Sequence, residues 1–199
     1  MNRIVIRKGK PEDANHFVEL DLISAPEWFP YLFGSNVRDT LRKMFLDKAN
    51  WFSYRHTYFV EVDNQIAGMG LAYSYNEKME EEQYFMELAL TYSIESTYSE
   101  PPDPRSTEIA AQIAEADYYI NDMGVYPQFR SLGLGTRLFE RIEKLARKMG
   151  SKRMVLDVET DNTRAKELYE RLGYRIERRS FIIEAKVKNF EFFKMVKVI

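Results

Sequence analysis

The stretch that most constrains this chain runs from Tyr118 to Met149. A β-prone run over 118–125 passes into Tyr126-Pro127-Gln128-Phe129-Arg130-Ser131-Leu132-Gly133-Leu134-Gly135 and then, without a break, into an amphipathic pattern. Leu134, Leu138, Ile142, Leu145 and Met149 share one face of that pattern, which predicts a helix over 134–149. A strand, a turn with two glycines and a helix start together make an anion cradle, because the unpaired first-turn N–H groups and the positive end of the helix dipole converge on one point. Gly133 and Gly135 leave the backbone open to close approach. Two other phosphate loops do not match. A dinucleotide fingerprint needs a third glycine where Leu138 stands, and a P-loop needs Lys-Ser/Thr where Thr136-Arg137 follows Gly135. Taken alone, the loop reads equally well as an ordinary strand-to-helix turn.

The flanking segments supply the rest of a mixed α/β sheet. Residues 4–7 read as a first strand, and Pro11-Glu12-Asp13 opens a helix that buries Phe17, Leu20 and Ile23. Residues 26–31 read as an aromatic, proline-broken loop, followed by a second helix carrying Val37, Leu41, Met44 and Phe45. A hairpin is predicted from 58–62 and 66–72 around Asp63-Asn64-Gln65. Residues 78–91 have a helical composition, and 77–106, with its Pro101-Pro102-Asp103-Pro104 run, reads as an insertion before the strand at 118. Beyond the cradle helix come a strand over 153–158, a short helix over 162–172 ended by Gly173, and two closing strands over 174–183 and 190–198. At 199 residues this is one domain, 1–199, with a central mixed twisted sheet flanked by helices.

Composition narrows the function. A net charge of −2 argues against a general nucleic-acid binder, which would carry a basic excess. No apolar run approaches the ~18 residues of a membrane span, and residues 1–7 have no signal-peptide pattern. With no cysteine, disulfides, thiolate catalysis and cysteine-held metals are excluded, which fits a cytoplasmic protein.

A second constellation reads Asn162-Thr163-Arg164-Ala165-Lys166-Glu167-Leu168-Tyr169-Glu170-Arg171-Leu172-Gly173-Tyr174. Together with Val125-x-Pro127-x-x-Arg130-x-x-Gly133-x-Gly135, it resembles the GNAT superfamily of acetyl-CoA-dependent N-acetyltransferases over about residues 118–175. The resemblance implies a GNAT-type fold and acetyl-CoA as co-substrate, with no metal. Backbone amides of Arg130, Ser131, Leu132, Gly133, Leu134, Gly135 and Thr136 would hold the CoA pyrophosphate. Met123 and Val125 would pair their backbone with the pantetheine arm, with Gly124 between them suited to a bulge that splays the strand. Asn162 would bond the cofactor arm, cap its helix, or do both.

The resemblance further implies that Tyr169 is the general acid protonating the departing CoA thiolate; a core aromatic is the plainer reading of the same residue. For the base, a carboxylate near the strand is implied. Asp117 shares strand parity with Tyr119, Asn121 and Met123, whereas Asp122 should point to the other face, so Asp117 is the candidate. A tyrosine, Tyr119, stands where some members of the family carry a base. His16 and His56 read as structural. The aromatics of 28–33 and 51–58 read as core with some lining an acceptor pocket, and Glu80, Glu81, Glu82 and Glu87 as a solvated face or an attraction for a cationic amine. The expected activity is acetyl transfer to a primary amine by direct attack in a ternary complex. Transfer of a longer acyl group and a non-catalytic acyl-CoA-binding module are the alternatives. The expected partners are acetyl-CoA and an amine, with neither nucleic acid nor membrane; homodimerisation is common in the family.

Overall fold

In the computed structural model, which describes residues 3–98 and 100–199 (the side chains of 93–95, 107, 110 and 111 excepted), the chain forms one seven-stranded sheet. Met1, Asn2 and Ser99 lie outside the described residues, so the first two positions of the segment tested for a leader and one position of the 77–106 segment go without a structural account. The strands are β1 (Ile4–Lys8), β2 (Thr57–Val62), β3 (Gln65–Ser74), β4 (Asp117–Val125), β5 (Arg153–Glu159), β6 (Arg175–Arg179) and β7 (Phe192–Val198), in the order β1-β2-β3-β4-β5-β7-β6. The helices are α1 (Ala14–Ser24), α2 (Trp28–Phe33), α3 (Val37–Leu46), α4 (Tyr75–Glu95), α5 (Ser106–Ala111), α6 (Leu134–Lys148) and α7 (Thr163–Arg171). This is the mixed sheet with flanking helices that the pattern predicts. Among the described residues no helix is long and apolar enough to cross a membrane.

Alternation along the strands divides the core in two. One face buries Phe59, Met69, Leu71, Tyr73 and Tyr119 against Phe17, Leu20, Leu41 and Phe45 of α1 and α3. The other buries Tyr118, Ile120, Met154 and Leu156 against Leu134, Leu138, Phe139 and Ile142 of α6. The β2–β3 hairpin turns on Asp63 and Asn64, both at positive φ, and pairs Val62 directly with Gln65. Such a two-residue turn matches the strand twist, so Gln65 joins the strand rather than the loop. The segment expected as a loop at 26–31 instead contains a helical turn and a half, α2. Its Pro30 sits within the first turn, where the missing N–H costs nothing.

The functional geometry originates in the pairing of β4. It is parallel to β5, joined through α6, and the two pair only over Asp117–Ile120 and Arg153–Leu156. Beyond Ile120 the strands part, so the backbone edge of 121–125 that faces away from β3 has no strand beside it. The splay was expected from a bulge at Gly124. Gly124 instead pairs in register with Met69, and the register shift falls between Leu71↔Asp122 and Ala72↔Ile120, which puts the extra residue at Asn121. Gly124 is glycine for a different reason: a Cβ there would stand 2.5 Å from the Leu20 carbonyl oxygen of α1.

Candidate active site

The parting strands form the floor of a cleft of about 1310 Å³, larger than the ~300–1,000 Å³ typical of a single small ligand. Its donor wall consists of the end of β4, the 130–136 turn and the starts of α6 and α7. Of the residues expected to hold a cofactor, Met123, Val125, Arg130, Ser131, Gly133, Leu134, Gly135, Thr136 and Asn162 line the cleft. Leu132 does not; its side chain is exposed.

The turn owes its shape to two left-handed residues, Ser131 at φ 66° and Gly133 at φ 70°. Left-handed residues among extended ones turn successive N–H groups into one concavity. The first intrahelical bond of α6 is Arg137 N–H to Gly133 O at 3.2 Å, so the N–H groups of Leu134, Gly135 and Thr136 have no carbonyl within the helix. A Cβ at Gly133 would meet nothing within 4 Å, and one at Gly135 only Leu168 Cδ2 at 3.9 Å. Open space therefore stands before unpaired donors at a helix N-terminus, an arrangement whose charge and geometry suit an anion. Asn162 caps α7, accepting from Ala165 N–H at 3.1 Å, and its side-chain amine has no partner among the described residues.

Tyr169 projects from α7 into the same cleft. Its ring lies edge-on to Phe139 with centroids 5.4 Å apart, and its hydroxyl has no hydrogen bond among the described residues. Burial, and secondarily the charge of Asp122, push the phenol above its usual value, so it stays protonated.

Asp117 lies elsewhere. It is buried at the start of β4, gripped by Arg153 through Nε–Oδ1 at 2.7 Å and Nη2–Oδ2 at 3.0 Å, and accepts Ala114 N–H at 2.8 Å. It does not line the cleft. Five residues of strand, about 16 Å, separate it from Asp122. The parity argument that favoured it fails at the Asn121 bulge, since one extra residue exchanges the faces beyond it. Asp122 consequently joins Tyr119 on the α1 side, while Met123 and Val125 turn toward α6.

Asp122 lines the cleft and is held by Ser24 Oγ at 2.9 Å and by the Asn121 side-chain amine. Burial raises it to about 6, against the lowering effect of those bonds. Behind it lies Asp21 of α1, at 0% exposure, whose oxygens meet no N–H or O–H donor among the described residues and whose carboxyl is paired by a hydrogen bond with that of Asp122. Burial first, and then the charge of Asp122, hold Asp21 well above the usual carboxylate range, so it is neutral where Asp122 is charged. On the β5 side of the fork, Tyr119 donates to Asp157 at 3.0 Å and Lys194 approaches the same oxygen at 3.2 Å. Strict alternation along the strand points Asp122 away from Tyr119 and Met123, so parity alone sets it aside. The one available signal was the adjacent polar pair Asn121-Asp122 inside an otherwise apolar strand.

The acceptor wall comes from α2, α4 and the loops around them: Trp28, Phe29, Phe33, Phe52 and Phe85 all face the cleft. Phe85 stacks on Trp51 with centroids 4.0 Å apart, and Phe29 stacks on Phe33 at 6.1 Å. His16 and His56 are outside the cleft. His16 bonds the Tyr126 hydroxyl at 2.9 Å, and His56 bonds Glu81 of α4 at 3.0 Å. Of the described glutamates on α4, only Glu82 reaches the cleft, and Lys78 donates to it at 2.8 Å.

Comparison with known proteins agrees with this arrangement. A family model described as the Acetyltransferase (GNAT) family matches residues 23–174. A curated relative, an uncharacterised N-acetyltransferase of Bacillus subtilis (strain 168), YhfO, is 39% identical over 57 residues. That match spans 29% of this chain and 38% of the relative, well under half of either. Among solved structures, an N-acetyltransferase of Staphylococcus aureus Mu50 superposes with a TM-score of 0.65 at 22% identity, covering 97% of this chain and 100% of that one. The ribosomal-protein-S18-alanine N-acetyltransferase of Escherichia coli gives 0.62 at 14%, covering 99% and 94%. A polyamine N-acetyltransferase of Drosophila melanogaster, which forms N-acetylagmatine, gives 0.60 at 17%, covering 99% and 100%. At these identities the structural likeness shows the fold alone.

Proposed function

Since the chain belongs to the GNAT acetyltransferase family, we propose that it moves the acetyl group of acetyl-CoA to a primary amine by direct attack inside the β4–β5 fork. The observation that carries this reading is the convergence of three features on one cleft: the open amide cradle at 131–136, the free Tyr169 hydroxyl and the Asp122 carboxylate. We take residues 1–199 as one domain, with 77–106 as an elaboration that walls the acceptor side.

Acetyl-CoA supplies the thioester and its thiolate leaving group. The amides of Ser131, Gly133, Leu134, Gly135 and Thr136 suit its pyrophosphate, with Arg130 beside them. The unpaired edge of β4 at Met123 and Val125 offers backbone groups to an extended arm, as a strand edge offers them to an added strand. Asn162, already spent as an acceptor on its cap, has its amine left to donate. On the acceptor side Asp122 takes the proton that the amine must lose, and Tyr169 gives one to the thiolate. Asp122 suits its role because a group at about 6 is ionised at neutral pH yet close enough to it to hold a proton. Tyr169 suits the opposite role because burial keeps it protonated. Without cysteine, a thiol acyl-enzyme is not available, which favours attack in a ternary complex.

The test is release of CoA from acetyl-CoA across a panel of amines, with wild type and Tyr169→Phe. Wild type should turn over, and the variant should lose about 10²-fold in kcat while binding acetyl-CoA as tightly as before. Equal turnover by the variant would remove the acid assignment. Acetyl-CoA bound but never consumed would make the protein a binding module.

A further inference from the structure

The charges that line the acceptor half are almost all spoken for. Glu82 accepts from Lys78, Asp103 from Arg105, Asp157 from Lys194 and Tyr119, and Glu159 from Lys188. Glu108 is exposed at the rim, with Arg105 acting on it electrostatically. Asp122 differs: among the described residues its hydrogen bonds come from Ser24, Asn121 and the neutral Asp21, and no cationic side chain stands against it. The cations that line the cleft, Arg130, Arg164 and Arg171, all belong to the donor wall. Apart from the hydroxyls of Ser24 and Ser106, what remains on the acceptor side is largely apolar: Trp28 and Phe29 of α2, Phe85 and Met86 of α4, and Pro102 and Ile109 beyond.

This inventory selects among amines. A second ammonium or a guanidinium on the substrate would lie against the aromatic wall. Cation–π attraction returns about 0.5–2 kcal/mol there, whereas removing an ion from water without a counter-charge costs several. The carboxylate of a free amino acid would lie on the side of the cleft that holds Asp122 and no cation. An aryl or alkyl body, in contrast, gains about 25 cal/mol for each Å² it buries.

Building on the amine-acetyltransferase reading, we propose that the acceptor is a primary monoamine on an aryl or alkyl body. Its nitrogen meets Asp122, and its body lies along Trp28, Phe29, Phe85 and Met86. The specificity is thus set by α2 and α4 rather than by the cofactor-side signature.

The experiment measures kcat/KM for the full chain with acetyl-CoA and five probes: 2-phenylethylamine, hexylamine, agmatine, spermidine and lysine. The two monoamines are expected to exceed each polar probe by at least about 10-fold, within the range a few apolar contacts supply. Met86→Glu is the companion variant. Met86 is 47% exposed, so the protein should fold with an anion added to the apolar wall, and the preference should shift toward agmatine and spermidine. CoA release that is equal or faster with agmatine, spermidine or lysine than with the monoamines overturns the proposal and leaves the acetyltransferase reading intact. A preference that Met86→Glu does not move overturns the placement of the body along α4. Acetyl-CoA binding with no release for any probe overturns both readings at once.

Discussion

The two walls of the cleft are built in opposite ways. The donor wall is mostly backbone from one contiguous stretch: a strand edge, a turn with two left-handed residues and a helix N-terminus, all within 121–136, with α7 alongside. The acceptor wall is mostly side chains, drawn from α2, α4 and the 102–109 segment, which the sheet brings together from distant parts of the chain. Backbone recognition depends on conformation, and conformation leaves local marks in a sequence, such as glycine at positive φ or a cap before a helix. Side-chain recognition depends on packing between distant segments and leaves almost none. One wall can therefore serve a common ligand while the other varies.

Asp122 stands where the two walls meet, and replacing it should separate them most sharply. Asp122→Asn should lower kcat/KM for the amine by about 10²–10⁴-fold while the Kd for acetyl-CoA stays unchanged. In wild type, kcat/KM should rise with pH through about 6, as the carboxylate loses its proton, and then level off. In the variant that limb should vanish. A limb near 6 that persists in Asp122→Asn would move the base to another residue, and a weakened Kd would show that the walls are not independent.

Gly124→Ala examines the seam from the structural side. A Cβ 2.5 Å from the Leu20 carbonyl must push α1 off β4, and the atom it meets is backbone that cannot swing away. Chemical denaturation should show a loss of about 1–3 kcal/mol. An unchanged midpoint would mean that α1 moves freely, and the acceptor wall with it.

The last comparison concerns Asp21. Its folded value is raised, so the native state holds a proton that the unfolded state releases above about 3.9. Unfolding free energy then falls as pH rises from that point, by up to about 1.4 kcal/mol per unit, until the folded group also ionises. Asp21→Asn removes this slope, and its Tm advantage over wild type should widen from pH 5 to pH 8. Parallel Tm profiles for the two proteins would show that Asp21 is ionised in the native state.

The division between the walls also explains what the sequence made legible. The order of strands and helices, the 134–148 helix, the cradle and the Asn162 cap all follow from local periodicity and turn chemistry. The error at α2 arose because Pro30 and the aromatics around it read as a break, although proline is harmless in a first helical turn. The parity that favours Asp117 over Asp122 holds only along an unbroken strand. Strict alternation is sound until a bulge interrupts it, and the Asn121 bulge depends on how β3 and β4 pair, which no window on either strand contains. Of the acceptor wall the sequence marks only the aromatic stretches 28–33 and 51–58, without saying which rings line it, because Phe29, Phe52 and Phe85 become neighbours only after folding, each equally plausible as plain core.

That single extra residue gives β4 two reading frames. From 117 to 120 alternate side chains count one way, and from 122 onward they count the other. The extra position is absorbed locally: without Asn121 the pairs Ala72↔Ile120 and Leu71↔Asp122 would simply become adjacent, with Asp122 still under α1 and Met123 still toward α6, whereas Asn121 drawn into regular alternation would exchange what the amine and the thioester meet. A strand of this architecture thus carries an insertion as a sentence carries a parenthesis: one position is added, and every side chain after it keeps its side of the sheet.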